Sequence, residues 1–156
     1  MAEILYDQVP SLDLHDFTEG DEKSRGRFVQ KLGDAYQNIG FVAIRNHGLS
    51  AGLTDKLYQV VQEFFALPDA EKQRLEREDL YGQRGYISKG KERAKGRNTG
   101  DLKEFYHVGQ PDDNKREDYP ANIFPPELAD FRKYTEEAYR VLQKTGQQML
   151  RAIALY

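Results

Sequence analysis

Gly40-Phe41-Val42-Ala43-Ile44-Arg45-Asn46-His47-Gly48 is the stretch on which the reading of this chain turns. Residues 41–45 read as a strand, and four apolar residues in a row suit a strand buried on both faces. Gly40 closes the helical pattern before it and Gly48 opens the turn after it, glycine being the residue that takes positive φ without steric cost. A helical pattern lies on each side, so both helices can pack around the strand.

On the N-terminal side, Phe28, Leu32, Ala35, Tyr36 and Ile39 recur at helical spacing and predict a helix over residues 24–38. Before it, residues 9–14 read as a strand, with Pro10 at its start, and the acidic stretch 16–23 reads as a loop. On the C-terminal side, Ser50 is the expected N-cap of a helix over residues 51–66, whose buried stripe is Leu53, Leu57, Val60, Val61, Phe64 and Phe65. Pro68 stops that helix, and Asp69 is expected to cap a short one after it. Residues 84–88 read as a short strand or turn and 102–108 as a strand, separated by a basic loop carrying Lys89, Lys91, Arg93, Lys95 and Arg97. Residues 110–124 are too rich in Asp, Asn and Pro for regular structure.

A long helix is expected from Pro125 onward, since Pro and Glu both suit a first turn. Leu128, Phe131, Thr135, Ala138, Leu142, Thr145, Met149 and Ile153 give it a heptad-like stripe. Its last residues grow more apolar and carry no stop signal, which leads us to expect further protein after it. The pattern as a whole is α+β, helix-rich, with few strands.

At 156 residues the chain has room for one domain with a sizeable core. Its net charge of −3 gives no general attraction to nucleic acid or to an anionic membrane. No apolar run is long enough to span a bilayer, and Met1-Ala2-Glu3-Ile4 lacks the start of a signal peptide. Cysteine is absent, which excludes disulfides and thiolate metal ligands and agrees with a cytoplasmic location.

The chemistry visible in the residues is sparse. A non-haem iron site needs two His and one carboxylate on one face, yet His15, His47 and His107 lie far apart and none has His-x-Asp or His-x-Glu spacing. No metal ligand is assigned. No Gly-x-Ser-x-Gly elbow, Walker lysine or dinucleotide glycine motif is present. The basic loop raises a nucleic-acid reading through Lys91, Arg93 and Lys95, which the acidic remainder of the chain disfavours. Tyr86 and Phe105-Tyr106 suit a core, and tyrosine hydroxyls beside Arg84 would suit the lining of a polar small-molecule site.

Pro10-x-Leu-Asp13-Leu14, Gly40-Phe41, Asn46-His47-Gly48, Phe64-Phe65-x-Leu-Pro68, Gly85-Tyr86 and Asp101-x-Lys-Glu104-Phe105 follow one another in an order that covers nearly the whole chain. This series resembles the N-terminal region of the isopenicillin N synthase-like group of non-haem iron oxygenases, most of which use 2-oxoglutarate. The resemblance implies a helix-rich N-terminal region of a jelly-roll (double-stranded β-helix) enzyme over residues 1–156, its long last helix lying beneath the barrel. In that group the iron ligands, a His-x-Asp pair and a distant His, and the Arg-x-Ser that holds 2-oxoglutarate all lie in the C-terminal half. The resemblance therefore implies Fe(II) and 2-oxoglutarate in the intact enzyme, neither held by this chain alone, and a missing catalytic half as partner. It implies Arg84, Tyr86 and Tyr106 as residues facing a small-molecule substrate, and Asn46, His47 and Gly48 as a structural turn.

The expected function is that of the N-terminal part of an iron-dependent dioxygenase, inactive as a 156-residue piece. The rival expectation is a stand-alone, non-catalytic binding or scaffold module with an oxygenase-derived fold.

Overall fold

Asp13 shows how local sequence sets the start of the fold. Its carboxylate accepts a hydrogen bond from the His15 backbone N–H at 3.0 Å, capping a short helix where the sequence suggested a loop. The computed structural model describes residues 8–93, 95–96, 99–111 and 119–156. Arg97 of the basic loop, residues 112–118 of the polar loop and the N-terminal residues 1–7 lie outside the described residues. Among those described, four strands and five α-helices follow in this order: β1 (Ser11–Asp13), α1 (Leu14–Thr18), α2 (Glu22–Asn38), β2 (Ala43–Arg45), α3 (Ala51–Phe65), α4 (Asp69–Gln73), β3 (Gly85–Ile87), β4 (Phe105–His107) and α5 (Ala129–Leu155). A 3₁₀ turn, Glu78–Leu80, lies between α4 and β3.

The chain divides into two compact units, Met1–Leu49 with Val141–Tyr156, and Ser50–Arg140. In the first, β1 and β2 pair in parallel with Leu12 opposite Ile44. Leu12, Leu14, Phe17, Phe28, Leu32 and Ala152 form its core. Phe17 and Phe28 meet at 5.5 Å between ring centroids. The strand expected over 41–45 is shorter than expected, and it is not buried on both faces: Phe41 is 69 % exposed and Ile44 only half-buried. Val42 and Ile44 pack on the core from one face, whereas Phe41, Ala43 and Arg45, on the opposite face, are exposed. Tyr36, assigned to the buried face of α2, is exposed, and Gly33 takes its place against the ring of Tyr156.

In the second unit, Ser50 caps α3 through a bond from the Leu53 N–H at 3.1 Å, as its position suggested. Asp69 does not cap α4; it is the first helical residue, and Pro68 precedes it without a side-chain cap. The β3 and β4 strands pair antiparallel, with Tyr86 opposite Tyr106. Phe64 is fully buried at the centre of the core, its ring 4.8 Å from Tyr106 and 5.1 Å from Phe131.

The α5 helix begins at Ala129 rather than at Pro125, because Pro125 is buried in a turn that accepts the Leu128 N–H. Its stripe also departs from the heptad reading. Phe131, Thr135 and Ala138 are buried, but Leu142 and Ile153 are exposed and Ala152 is fully buried instead. A straight helix turns every 3.6 residues, so a seven-residue pattern drifts by about 20° per heptad and leaves the buried face within a few turns.

Candidate functional site

Two neighbourhoods carry the polar groups singled out from the sequence, one in each unit. In the first unit, Asn46 and Gly48 both have positive φ, at 53° and 89°. Asn tolerates this region because its short amide can bond locally. Here the Asn46 amide donates to both carboxylate oxygens of Asp13, at 2.8 and 2.7 Å. That contact, ahead of the bond from the His15 N–H, holds the Asp13 carboxyl below the usual range. His47 accepts the Leu49 N–H at Nδ1, 3.3 Å away, and its carbonyl accepts the Thr145 hydroxyl at 2.5 Å. Every one of these bonds joins the chain to itself.

In the second unit a cavity of about 470 Å³ opens beside β3, with Tyr81, Tyr86, Ile87, Glu76, Lys91 and His107 in its wall. Tyr86 is 3 % exposed, and its hydroxyl donates to Glu104 Oε2 at 2.5 Å. The same oxygen accepts the ammonium of Lys72 at 2.8 Å. Lys72 is itself 3 % exposed and reaches Asp69 at 3.1 Å. The Lys72 bond, then the Tyr86 bond, hold the Glu104 carboxyl down to about 2. Burial, then the neighbouring Glu104, push the Tyr86 phenol up to about 12. At neutral pH the cluster is therefore a cation, a carboxylate and a neutral phenol.

The three residues named as substrate-facing are thus placed differently. Tyr86 is in the cavity wall with its hydroxyl already engaged. Tyr106 faces the core, where its hydroxyl donates to the Ile123 carbonyl and burial raises its pKa. Arg84 donates to the Gln83 carbonyl at 2.7 Å and packs its guanidinium flat on Gly109, leaving no room for a Cβ there. Its Nε is buried without a partner among the described residues. Asn122 secures that glycine by accepting its N–H at 2.7 Å and donating to its carbonyl at 3.0 Å. The structure does not gather a set of free tyrosine hydroxyls beside Arg84.

Lys72 and Asn122 escaped the sequence reading. Lys72 sits in the run Glu71-Lys72-Gln73-Arg74, where nothing in the spacing separates a buried lysine from a solvated one. Of the basic loop, Lys89 pairs with Glu104 at 3.5 Å and Lys91 with Glu78 at 3.2 Å.

The histidines serve separately. His15 faces Glu19 at 3.7 Å, and His107 donates from Nδ1 to the Gly82 carbonyl at 2.6 Å. Among the described residues, no group of three or more His, Asp or Glu could hold a metal ion. The donors among the described residues do not fit an iron site. No described helix is long and apolar enough to cross a membrane.

The family described as "non-haem dioxygenase in morphine synthesis N-terminal" matches residues 9–127. A 2-oxoglutarate-Fe(II) type oxidoreductase, ppzD of Metarhizium rileyi, is 32 % identical over 94 % of this chain and 44 % of its own length. Leucoanthocyanidin dioxygenase of Malus domestica is 31 % identical over 95 % of this chain and 40 % of its own. The chain spans about half the length of the curated relatives it matches.

Among solved structures, a 2OG-Fe(II) oxygenase family protein from Caulobacter crescentus superposes with a TM-score of 0.80 at 30 % identity, over 95 % of this chain and 48 % of that one. A full-length Neurospora crassa protein, solved in complex with alpha-KG, shares the fold with a TM-score of 0.79 at 23 % identity, over 98 % of this chain and 49 % of its own. The α+β architecture, with its few strands and long last helix, is that of the helix-rich region of jelly-roll oxygenases. With 9–127 of its 156 residues matched by the family, the chain belongs to the non-haem dioxygenase N-terminal family, the N-terminal region of 2-oxoglutarate/Fe(II) oxygenases.

Proposed function

We propose that this chain is the N-terminal part of an Fe(II)/2-oxoglutarate-dependent dioxygenase that oxidises a small molecule, and that it is inactive alone. The observation that carries the reading is the family match over residues 9–127, together with relatives about twice as long that are named for this chemistry. In this reading Fe(II) and 2-oxoglutarate are held by a C-terminal jelly-roll half, which is the chain's partner. The residues of this chain hold neither, and their task is structural support and one side of the substrate cavity. Of the three residues the resemblance offers for that side, Tyr86 lines the open space itself, and Arg84 and Tyr106 would act by supporting it. Asn46, His47 and Gly48 form the turn that follows β2. The absence of cysteine fits a cytoplasmic enzyme.

The intact mass of the protein as its own cell makes it tests this reading. A mass of roughly two domain-sized units supports it. A mass near 18.0 kDa overturns it in favour of a stand-alone module. Succinate formed by the purified 156-residue chain, dependent on added Fe(II) and 2-oxoglutarate, would contradict its inactivity.

A further inference from the structure

We propose that Lys72 and Glu104 are positioning residues for Tyr86, fixing the direction of its hydroxyl and so the surface that Tyr86 offers the cavity beside β3. The proposal rests on the reading of Tyr86 as a substrate-side residue. The geometry is specific. A single oxygen, Glu104 Oε2, receives the Tyr86 hydroxyl at 2.5 Å and the Lys72 ammonium at 2.8 Å. The three groups come from three elements: α4, β3 and the segment leading into β4.

Each part constrains the next. Lys72 is almost wholly buried, and a buried ammonium stays charged only beside a carboxylate that answers it. Asp69, its other partner, is 81 % exposed, so Glu104, with an 18 % exposed side chain, is the desolvated counter-charge. Glu104 in turn keeps one oxygen directed at Lys72, and the Tyr86 hydroxyl has that same oxygen as its acceptor. Lys72 Nζ also lies 5.6 Å from the centroid of the Tyr86 ring, which fixes the ring from its face.

The backbone holds the other end. Tyr86 donates its N–H to the Leu75 carbonyl at 3.2 Å, and Gly85 lies so close to that carbonyl that a Cβ could not fit. With backbone and hydroxyl both fixed, Tyr86 has one rotamer available. Its only O–H is given to a carboxylate, so Tyr86 has no proton left to donate to a ligand in the cavity. This makes the Tyr86 wall a surface for the carbon face of a ligand, whereas the sequence suggested a hydrogen-bonding one.

The test uses the 156-residue chain with ¹³C at tyrosine Cζ and glutamate Cδ, and no ligand. Tyr86→Phe assigns the Tyr86 signal. In the parent chain that signal should titrate near 12 and the Glu104 carboxyl near 2. Glu104→Gln should lower the Tyr86 midpoint by about one unit or more. Tyr86→Phe, a variant that keeps the ring and its packing, should move the Glu104 carboxyl upward. Val60→Ala, which loosens the core that Tyr86 shares but removes none of the hydrogen bonds among Lys72, Glu104 and Tyr86, should leave both midpoints in place. An unchanged Glu104 midpoint in Tyr86→Phe, or an unchanged Tyr86 midpoint in folded Glu104→Gln, overturns the proposal. The substrate-side reading fails separately: in the intact enzyme, a KM unaltered by Tyr86→Ala would refute it even with both midpoints moved as expected.

Discussion

The Asn46 amide donates to both oxygens of the Asp13 carboxylate, tying the residue that follows β2 to the one that ends β1 and caps α1. Asn46 also holds a φ of 53°, where Ala is strained and Gly is not. Asn46→Gly should lose the bond to Asp13 and gain some freedom in the unfolded chain, whereas Asn46→Ala should lose the bond and suffer the larger cost of the strain. Thermal melts should therefore rank the parent above Asn46→Gly, and Asn46→Gly above Asn46→Ala. Asp13 should titrate at higher pH in both variants, because its largest pKa-lowering contact is gone. Equal melting of the two variants would show that the backbone at position 46 is not under strain.

Gly33 on α2 lies against the face of the Tyr156 ring, and the Tyr156 hydroxyl reaches Asp34 and Gln37. A methyl at position 33 would occupy the space of the ring. Gly33→Ala should cost about 1–3 kcal/mol, the usual range for overpacking, despite its better helix propensity. Combined with Tyr156→Ala, which empties the space, most of that cost should disappear. A double-mutant cycle in urea reads this coupling directly. Purely additive effects would place the Tyr156 ring elsewhere.

Phe64 joins the rings of Tyr86, Tyr106 and Phe131 and is fully buried. Phe64→Ala should destabilise the second unit by about 3–5 kcal/mol, and Phe64→Leu by clearly less. Urea unfolding followed by tyrosine fluorescence measures both. A loss below about 1 kcal/mol for the alanine variant would mean that the core closes around the gap.

The acid limb of stability should carry the signature of Glu104. Its carboxyl ionises near 2 when folded, against an ordinary value of 4.5. A depressed pKa contributes stability that is complete above the ordinary value and is lost as pH falls through the folded one. The window is therefore about pH 4.5 down to about 2, and the loss is on the order of 3 kcal/mol. Glu104→Gln should flatten this limb. Tyr86 makes the opposite contribution at the alkaline end: its raised pKa stabilises the fold below pH 10, an effect lost towards about 12. Urea midpoints measured from about pH 2 to about pH 6, for the parent and for Glu104→Gln, provide the measurement.

Much of the fold was legible from local rules. Ser50 caps α3, Phe28 and Leu32 are buried on α2, and Gly85-Tyr86 and Phe105-Tyr106 lie on paired strands. These follow from spacing and side-chain chemistry within one or two turns of the chain. What stayed hidden depends on distant partners. Lys72 meets a carboxylate 32 residues away, and no helical periodicity distinguishes it from its solvated neighbours. The polar lining suggested by Arg84, Tyr86 and Tyr106 came from residue type and from the family resemblance, and neither shows where a hydroxyl group is spent. Pairing then spent both tyrosine hydroxyls, on Glu104 and on the Ile123 carbonyl. The family itself was legible because its motifs are spread in order along the chain, and order survives where single motifs are weak.

The first unit is built from two segments separated by the whole of the second. Thr145 reaches back 98 residues to His47, and Tyr156 reaches back 122 to Asp34. During synthesis on the ribosome, β1, α1, α2 and β2 emerge long before Met149 and Ala152, which complete their core. The second unit is contiguous and ends at Arg140, so its core residues are all present before Met149 and Ala152 emerge. The order in which the contacts fall along the chain therefore favours early settling of the second unit, while Leu12, Phe17 and Phe28 still lack Met149 and Ala152.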